Sequence, residues 1–385
     1  MCKKNLLWAL MPMLLVYGAA CASGATPTAA TGGQPTAKST ASSVAPSVAA
    51  WEAEWNKTLA AAKTEGTVVI YSIQNSATRE TLRKTFKDKY GIDLEFVAGT
   101  GTELVARASS ERKAGLYLAD VVMGGPSSSL GFKDLGALDL MEASFILPEV
   151  KDPKAWLGGS LFYFDQGRYT LGYVAMPNGT WLVDTGVLKP SEVTSYKDLL
   201  NPRWTGKMIM SDPTVSGPAN ALIGTGMWEL MGEDYLRALA KQQPVITRDN
   251  RLLVESVARG KYPIAIAPLA DVRWEFKKNG APIEQVDPTE GNITLSGSGS
   301  LGVLNKAAHP NATKIFVNWL LSKEGQTLIQ KEIGGASRRV DIPKEGIDPD
   351  NILKPGGKYL PGDTEEASRT RAARQPQIKE IFGIK

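Results

Sequence analysis

The sequence predicts an α/β protein built as two α/β lobes joined by two extended crossovers. Three observations carry that reading. Strands and helices alternate in two separate stretches, extended segments too long for simple loops follow each stretch, and 385 residues suffice for more than one sizeable core. Within each stretch the connections are short, which implies sheets assembled from parallel βαβ units.

The elements follow in order. Lys3 and Lys4, the apolar run 6–17 and the small residues Gly18, Ala19 and Ala20 form the n-region, h-region and exit of a signal peptide over 1–20. Such a run is shorter than the roughly 20 residues a membrane-spanning helix needs. Cys21 comes next, and Gly18-Ala19-Ala20-Cys21 resembles a bacterial lipobox, with Gly18 where an aliphatic residue is usual. The resemblance implies that Cys21 is lipidated and that the mature chain is exported and anchored to the cell membrane, facing the periplasm or cell exterior. Cys2 leaves with the signal, so Cys21 has no cysteine partner. Residues 22–50 hold no acid, no aromatic and one cation, Lys38, the composition of a flexible tether.

From Trp51 the composition changes. Trp51, Trp55, Leu59 and Ala62 recur at helical spacing over 51–64 and Gly66 ends that helix. TVVIYS (67–72) is a strand, 76–90 a helix with Leu82, Phe86 and Tyr90 on one face, and DLEFVA (93–98) a second strand. A helix capped by Thr102 follows, then the strand ADVVM (119–123), closed by Gly124-Gly125-Pro126. The second stretch runs KMIMS (207–211), helices at 218–230 and 233–241, a strand at 245–247, a helix at 252–258 and the strand PIAIA (263–267). Segments 169–175 with 180–184, and 292–295 with 300–305, read as the crossovers; one helix is expected over 312–331 and another over 365–381. The resulting division is 51–180 with 292–340 as lobe 1, 181–291 as lobe 2, and 341–385 as a tail packing on a lobe or partly mobile.

Charge and composition narrow the function. With 44 Lys+Arg against 40 Asp+Glu the chain lacks the basic excess of a nucleic-acid binder. Its single histidine, His309, has no GxSxG elbow to serve, and one histidine with two cysteines supplies no His/Cys metal site. The GxGxxG match at 297–302 is followed by a strand pattern instead of the helix a dinucleotide site requires, so it reads as a crossover. Asp287 and Glu290 read as solvated hinge acids. No cofactor, metal site or catalytic residue is assigned.

EGTVVIYS (65–72), ADVVMGG (119–125), RWTGKMIMSDPTVSG (203–217) and WLLSKEGQTLI (319–329) together resemble bacterial ABC-transporter extracellular solute-binding lipoproteins. More narrowly they resemble the type 2 periplasmic binding protein fold, in the branch that contains ferric-iron-binding proteins. In that branch paired tyrosines follow the strand equivalent to PIAIA, whereas here Asp271 and Val272 stand in their place. Fe(III) favours anionic oxygen ligands, and Asp271 alone supplies few. The resemblance implies capture of a small ligand, anionic or a metal–oxyanion complex, between the lobes, and delivery by a monomer to the permease and ATPase subunits of an ABC importer, without catalysis. The alternatives are a ligand-binding sensor module and an exported hydrolase.

Ligands of open α/β sheets bind outside the carboxyl ends of the strands. The candidate residues are therefore Ser72, Gln74 and Asn75 after the first strand, Gly99, Thr100 and Thr102 after the second, and Gly125 after the third. In lobe 2 they are Thr214, Ser216 and Gly217, in the loop that lines the family's cleft. Arg168, Arg248 and Arg338 are candidate partners of an anion, with Asp271 at the tyrosine position.

Overall fold

The computed structural model describes residues 46–384; the signal peptide, Cys21 and most of the tether lie outside them. The chain opens with α1 (Pro46–Glu65), β1 (Thr67–Ser72), α2 (Ser76–Tyr90), β2 (Asp93–Ala98), α3 (Gly101–Lys113), β3 (Val121–Gly124) and α4 (Pro126–Asp134). A short α5 (Pro148–Lys151), β4 (Phe162–Tyr163), β5 (Thr170–Gly172), β6 (Met176–Pro177) and β7 (Trp181–Asp184) follow. The second stretch contains β8 (Met208–Ser211), α6 (Pro218–Ala221), α7 (Trp228–Met231), α8 (Glu233–Lys241), β9 (Val245–Thr247), α9 (Asn250–Ala258), β10 (Ile264–Ile266), α10 (Ala270–Lys278) and β11 (Ile283–Val286). The chain returns through β12 (Asn292–Leu295) and β13 (Ser300–Val303) to α11 (Pro310–Leu321) and α12 (Lys323–Ile333), and ends in β14 (Tyr359–Pro361), α13 (Glu365–Ala373) and α14 (Gln375–Phe382).

Two sheets form the two lobes. The first has the order β2-β1-β3-β13-β5-β4 and the second β11-β7-β10-β8-β9. In each, three strands run parallel as expected: β2, β1 and β3 in one, β10, β8 and β9 in the other. Neither sheet is purely parallel, however. The strand returning from the other lobe inserts antiparallel beside them, β13 against β3 and β7 against β10. A third, three-stranded sheet joins the two crossovers, with β12 central, β6 antiparallel to it and β14 from the tail parallel to it.

Each sheet packs helices over its own core. In lobe 1, Phe86 of α2 meets Phe316 and Trp319 of α11, with ring centroids 5.6 Å and 5.2 Å apart. In lobe 2, Trp181 of β7 packs edge-on to Tyr196, and Tyr196 packs against Tyr235 of α8. Removing each such side chain from water stabilises the fold by about 1.5–3 kcal/mol.

Several expectations are corrected. The first helix starts at Pro46, so 46–50 are helical and not tether; proline at the first helical position forfeits no intrahelical bond. The cap of α3 is Thr100, not Thr102: its Oγ1 accepts from the Glu103 N–H while Glu103 accepts from the Thr100 N–H, a reciprocal capping box. Gly124-Gly125-Pro126 is not merely a turn, because Pro126 begins α4. The helix expected over 312–331 breaks at Ser322, which donates to the Trp319 carbonyl and caps α12 by accepting from the Gly325 N–H. Gly325 passes so close to the Trp319 carbonyl that a Cβ there would overlap it. Between α6 and α7 the chain widens into a π stretch, Leu222–Met227. The expected C-terminal helix is two helices, with Pro376 near the start of the second.

Candidate ligand-binding site

The carboxyl ends of the parallel strands in both lobes open onto two adjoining cavities. One, of about 560 Å³, is lined by Ile73 after β1, Thr100, Gly101 and Thr102 at the start of α3, and Gly125, Pro126, Ser127 and Ser128 at the start of α4. The other, of about 440 Å³, reaches from Ser127 across Asn178, Thr214, Ser216, Gly217, Asn220 and Ala270 to Asp363, Arg371 and Gln375 of the tail. Pro126, Ser127, Ser216 and Gly297 border both, so they are one cleft floored by the crossovers.

The local sequence explains the walls. Gly101 and Gly124 lie against Ser128, and a Cβ on Gly101 would stand 2.8 Å from Ser128 Cβ, so glycine lets α3 and α4 start side by side. Gly297 takes φ 53° between β12 and β13, and a Cβ there would overlap the Met176 methyl. In lobe 2, Ala267 sits in the left-handed region at φ 58°, held by its N–H to the Thr180 carbonyl, and delivers Pro268, Leu269 and Ala270 to the wall. A non-glycine residue in that conformation is strained, and such strain gathers where a fold shapes a site.

Three helices of nine residues or more, α3, α4 and α10, begin in this lining. The first N–H groups of a helix lack intrahelical partners and carry the positive end of its dipole. The larger cavity is faced by hydroxyls and glycines together with Ile73, Val105 and Pro126, and no carboxylate lines it. Glu103 stands just behind Thr100, where the bonds from Thr100 N–H and Oγ1 hold its carboxyl below the usual carboxylate range. The one carboxylate lining the cleft is Asp363, whose oxygen accepts from the Ser296 N–H. Burial raises the Asp363 carboxyl to about 6, against the opposing pull of that bond and of Arg371 and Arg338.

The predicted residues divide by position. Thr100, Thr102, Gly125, Thr214, Ser216 and Gly217 line the cleft. Ser72, Gln74 and Asn75 stand behind Ile73: Ser72 Oγ accepts from the Gln74 N–H, Gln74 Nε2 donates to the Ser298 carbonyl, and Asn75 caps α2. Gly99 precedes the α3 cap and borders neither cavity. Arg168 is exposed and pairs with Glu142 at 2.7 Å, and Arg248 pairs with Asp212 at 2.8 Å. Asp271 is exposed, its carboxylate accepting from the Val272 N–H, outside both linings. Arg338 is buried, donating to the Val174 carbonyl and lying 3.7 Å over the Phe162 ring, behind the wall near Asp363.

His309 bonds Asp120 at 2.8 Å, Asp287 pairs with Lys354, and Glu290 accepts from Ser195, all away from the cleft. The residues missed from sequence are Asn178, Asn220 and the tail group Asp363, Ser368, Arg371 and Gln375; Ile73 and Ser127 lie in the two loops expected to wall the first lobe. Asn178 and Asn220 each donate to a nearby carbonyl, of Pro218 and Pro213, a role that no local pattern marks.

Residues 170–332 match the family described as bacterial extracellular solute-binding protein. An uncharacterized protein of Haemophilus influenzae is 28% identical over 282 residues, covering 71% of this chain and 78% of its own. The fold is that of the periplasmic binding protein AfuA of Actinobacillus pleuropneumoniae, solved with exogenous fructose-6-phosphate (TM-score 0.60, 23% identity, 82% of this chain and 99% of that one). It is shared by iron-bound HitA of Pseudomonas aeruginosa (0.59, 21%, 81% and 99%). The ferric binding protein of Campylobacter jejuni is similar too (0.62, 17%, 82% and 98%). This chain thus shares its scaffold with proteins whose structures hold different ligands.

Proposed function

We propose that this protein captures a small organic anion carrying a phosphate or similar oxyanion between its lobes and presents the closed form to an ABC permease. The observation that carries the reading is the convergence of the α3, α4 and α10 N-termini on a hydroxyl-lined cleft. Unpaired helical N–H groups bind oxyanions, and no carboxylate lines the larger cavity, Glu103 being held behind it by Thr100. The AfuA structure with fructose-6-phosphate is a precedent for such cargo on this scaffold. A bare ferric ion fits less well. The linings hold one carboxylate and no tyrosine or histidine, and among the described residues no group of three His, Cys, Asp or Glu side chains is placed to hold a metal. The ligand's preference for the closed arrangement drives closure, a population shift that needs no catalysis.

The two lobes of this reading are 51–180 with 292–340, and 181–291. Cys21 anchors the monomer to the membrane, since an exported chain with one unpaired cysteine directly after a signal sequence matches lipidation.

Thermal unfolding against inorganic phosphate, fructose 6-phosphate, ferric citrate and a dicarboxylate tests the ligand class. A ligand at 100 times its Kd adds about 2.7 kcal/mol, a rise of several degrees in a chain of this size. Phosphate compounds are expected to raise the midpoint; a rise with ferric citrate alone sinks the reading.

A further inference from the structure

We propose that the C-terminal segment carries a recognition subsite of the cleft, in which Gln375 and Arg371 contact the hydroxyl-bearing body of a ligand whose oxyanion lies at the lobe 1 helix ends; this rests on the capture reading above. The tail is more than packing. Asp363, Ser368, Arg371 and Gln375 form one side of the smaller cavity, facing Asn178 and Asn220.

The Gln375 amide is the telling group. Both its Oε1 and its Nε2 are shielded from solvent without a hydrogen-bond partner, and the residue lines the cavity. An orphaned amide is costly in a folded protein, so one on a residue that borders a cavity marks a place where something else completes its bonds. An amide both donates and accepts, and a hydroxyl group answers both demands. Arg371 stands beside it, one turn earlier. Its Nη1 donates to Thr225 Oγ1 at 3.0 Å and to the Gly362 carbonyl at 2.9 Å, and a guanidinium's five donors leave others for a ligand.

The charge at this end favours a neutral partner. Of the charged groups that line this end, Asp363 and Arg371 balance one another, and Arg338 is buried behind the wall, so the tail wall is not a second oxyanion site. The wall is also held firmly. On the lobe 1 side Glu365 pairs with Lys133 at 2.6 Å and Arg369 with Asp134 at 2.9 Å. On the lobe 2 side Arg374 pairs with Glu229 at 2.7 Å, and Ile378 is fully buried in that lobe's core. The π stretch makes room for Arg371: a Cβ on Gly224 would stand 2.7 Å from Arg371 Cγ. Side chains locked by such packing can orient a ligand.

Calorimetric titration of the full chain and of Gln375→Leu with fructose 6-phosphate and with inorganic phosphate tests the subsite. Leucine keeps the volume and removes the unpaired amide, so the melting point of the free protein should hold or rise. The sugar phosphate should weaken by about tenfold, the loss of a ligand hydrogen bond, while inorganic phosphate stays within about twofold. Rescue of sugar phosphate affinity by Gln375→Asn with Gln375→Leu still weak adds support. Equal loss for both ligands, or for neither, overturns the subsite. So does a wild-type protein that binds the sugar phosphate no tighter than inorganic phosphate, which leaves the capture reading standing. Binding of neither by the wild type defeats both.

Discussion

The two lobes look alike in topology but differ in what completes them. Lobe 1 builds its main core from residues between Trp55 and Ile333, and the tail meets it outside that core through polar contacts, such as Lys133–Glu365, Asp341 with Arg339, and Asn351 to the Gly334 carbonyl. Lobe 2 takes part of its core from the tail: Ile378 is buried in it, and Ile381 and Phe382 pack against it. A second clasp lies on α10. Arg273 is fully buried and binds Asp348 at 2.6 Å, Asn351 at 2.9 Å and Gln285. Lobe 2 is therefore finished only after the last residues are in place, and the same segment supplies a wall of the cleft. Stability and recognition are coupled through a core segment on the lobe 2 side of the site and only through a helix cap, Thr100, on the other.

The strongest way to break that contrast is Arg273→Ala. It strands the buried Asp348 carboxylate, at a cost of about 3–5 kcal/mol. Hydrogen exchange should show lobe 2 amides in β8 and β10 losing protection while β1 and β3 keep theirs; equal loss in both lobes would end the comparison. Ile378→Ala comes next, at about 2–4 kcal/mol for a buried aliphatic side chain deleted from a filled core, measured by chemical denaturation and again confined to lobe 2.

Asp363 sharpens the comparison through pH. Its folded carboxyl titrates at about 6, above the ordinary value of 3.8, so between those values the folded state holds a proton that the unfolded state has released. Stability from this group is full below about 4 and falls as pH rises to about 6, by on the order of 2–3 kcal/mol. Asp363→Asn should flatten the dependence of the unfolding free energy on pH in that window, and an unchanged slope would refute the assignment. In lobe 1, Thr100→Ala removes the α3 capping box and should cost about 1 kcal/mol, with a measurable loss of oxyanion affinity at the same helix end. The smallest effect belongs to Arg168→Ala, which removes an exposed pair with Glu142: less than about 1 kcal/mol, with ligand affinity unchanged by titration. A large loss of affinity there would return Arg168 to the site.

Much of the architecture was legible because its signals are local. TVVIYS and DLEFVA alternate with helices whose apolar residues recur every three or four positions, and those patterns need only neighbours in sequence. The loops at the strand ends followed from the α/β rule, which is why Thr100, Thr102, Gly125, Thr214, Ser216 and Gly217 were found. The arginines were harder, because a guanidinium's partner is rarely nearby in sequence. Arg248 serves Asp212 across 36 residues, and Arg338 bonds Val174 across 164.

By itself, then, the sequence determined the α/β class, the bilobal plan with its two crossovers, most strands and helices, and the hydroxyl-rich loops of the cleft. Hydrophobic periodicity, capping and turn chemistry act over a few residues and are written in order along the chain. Tertiary structure alone decided the antiparallel insertion of β7 and β13, the break at Ser322 and the π stretch. It alone made the tail part of the site. Arg371 meets Thr225 across 146 residues and Asp363 meets Ser296 across 67. Contacts at that range depend on where two lobes place their surfaces, which no local pattern encodes.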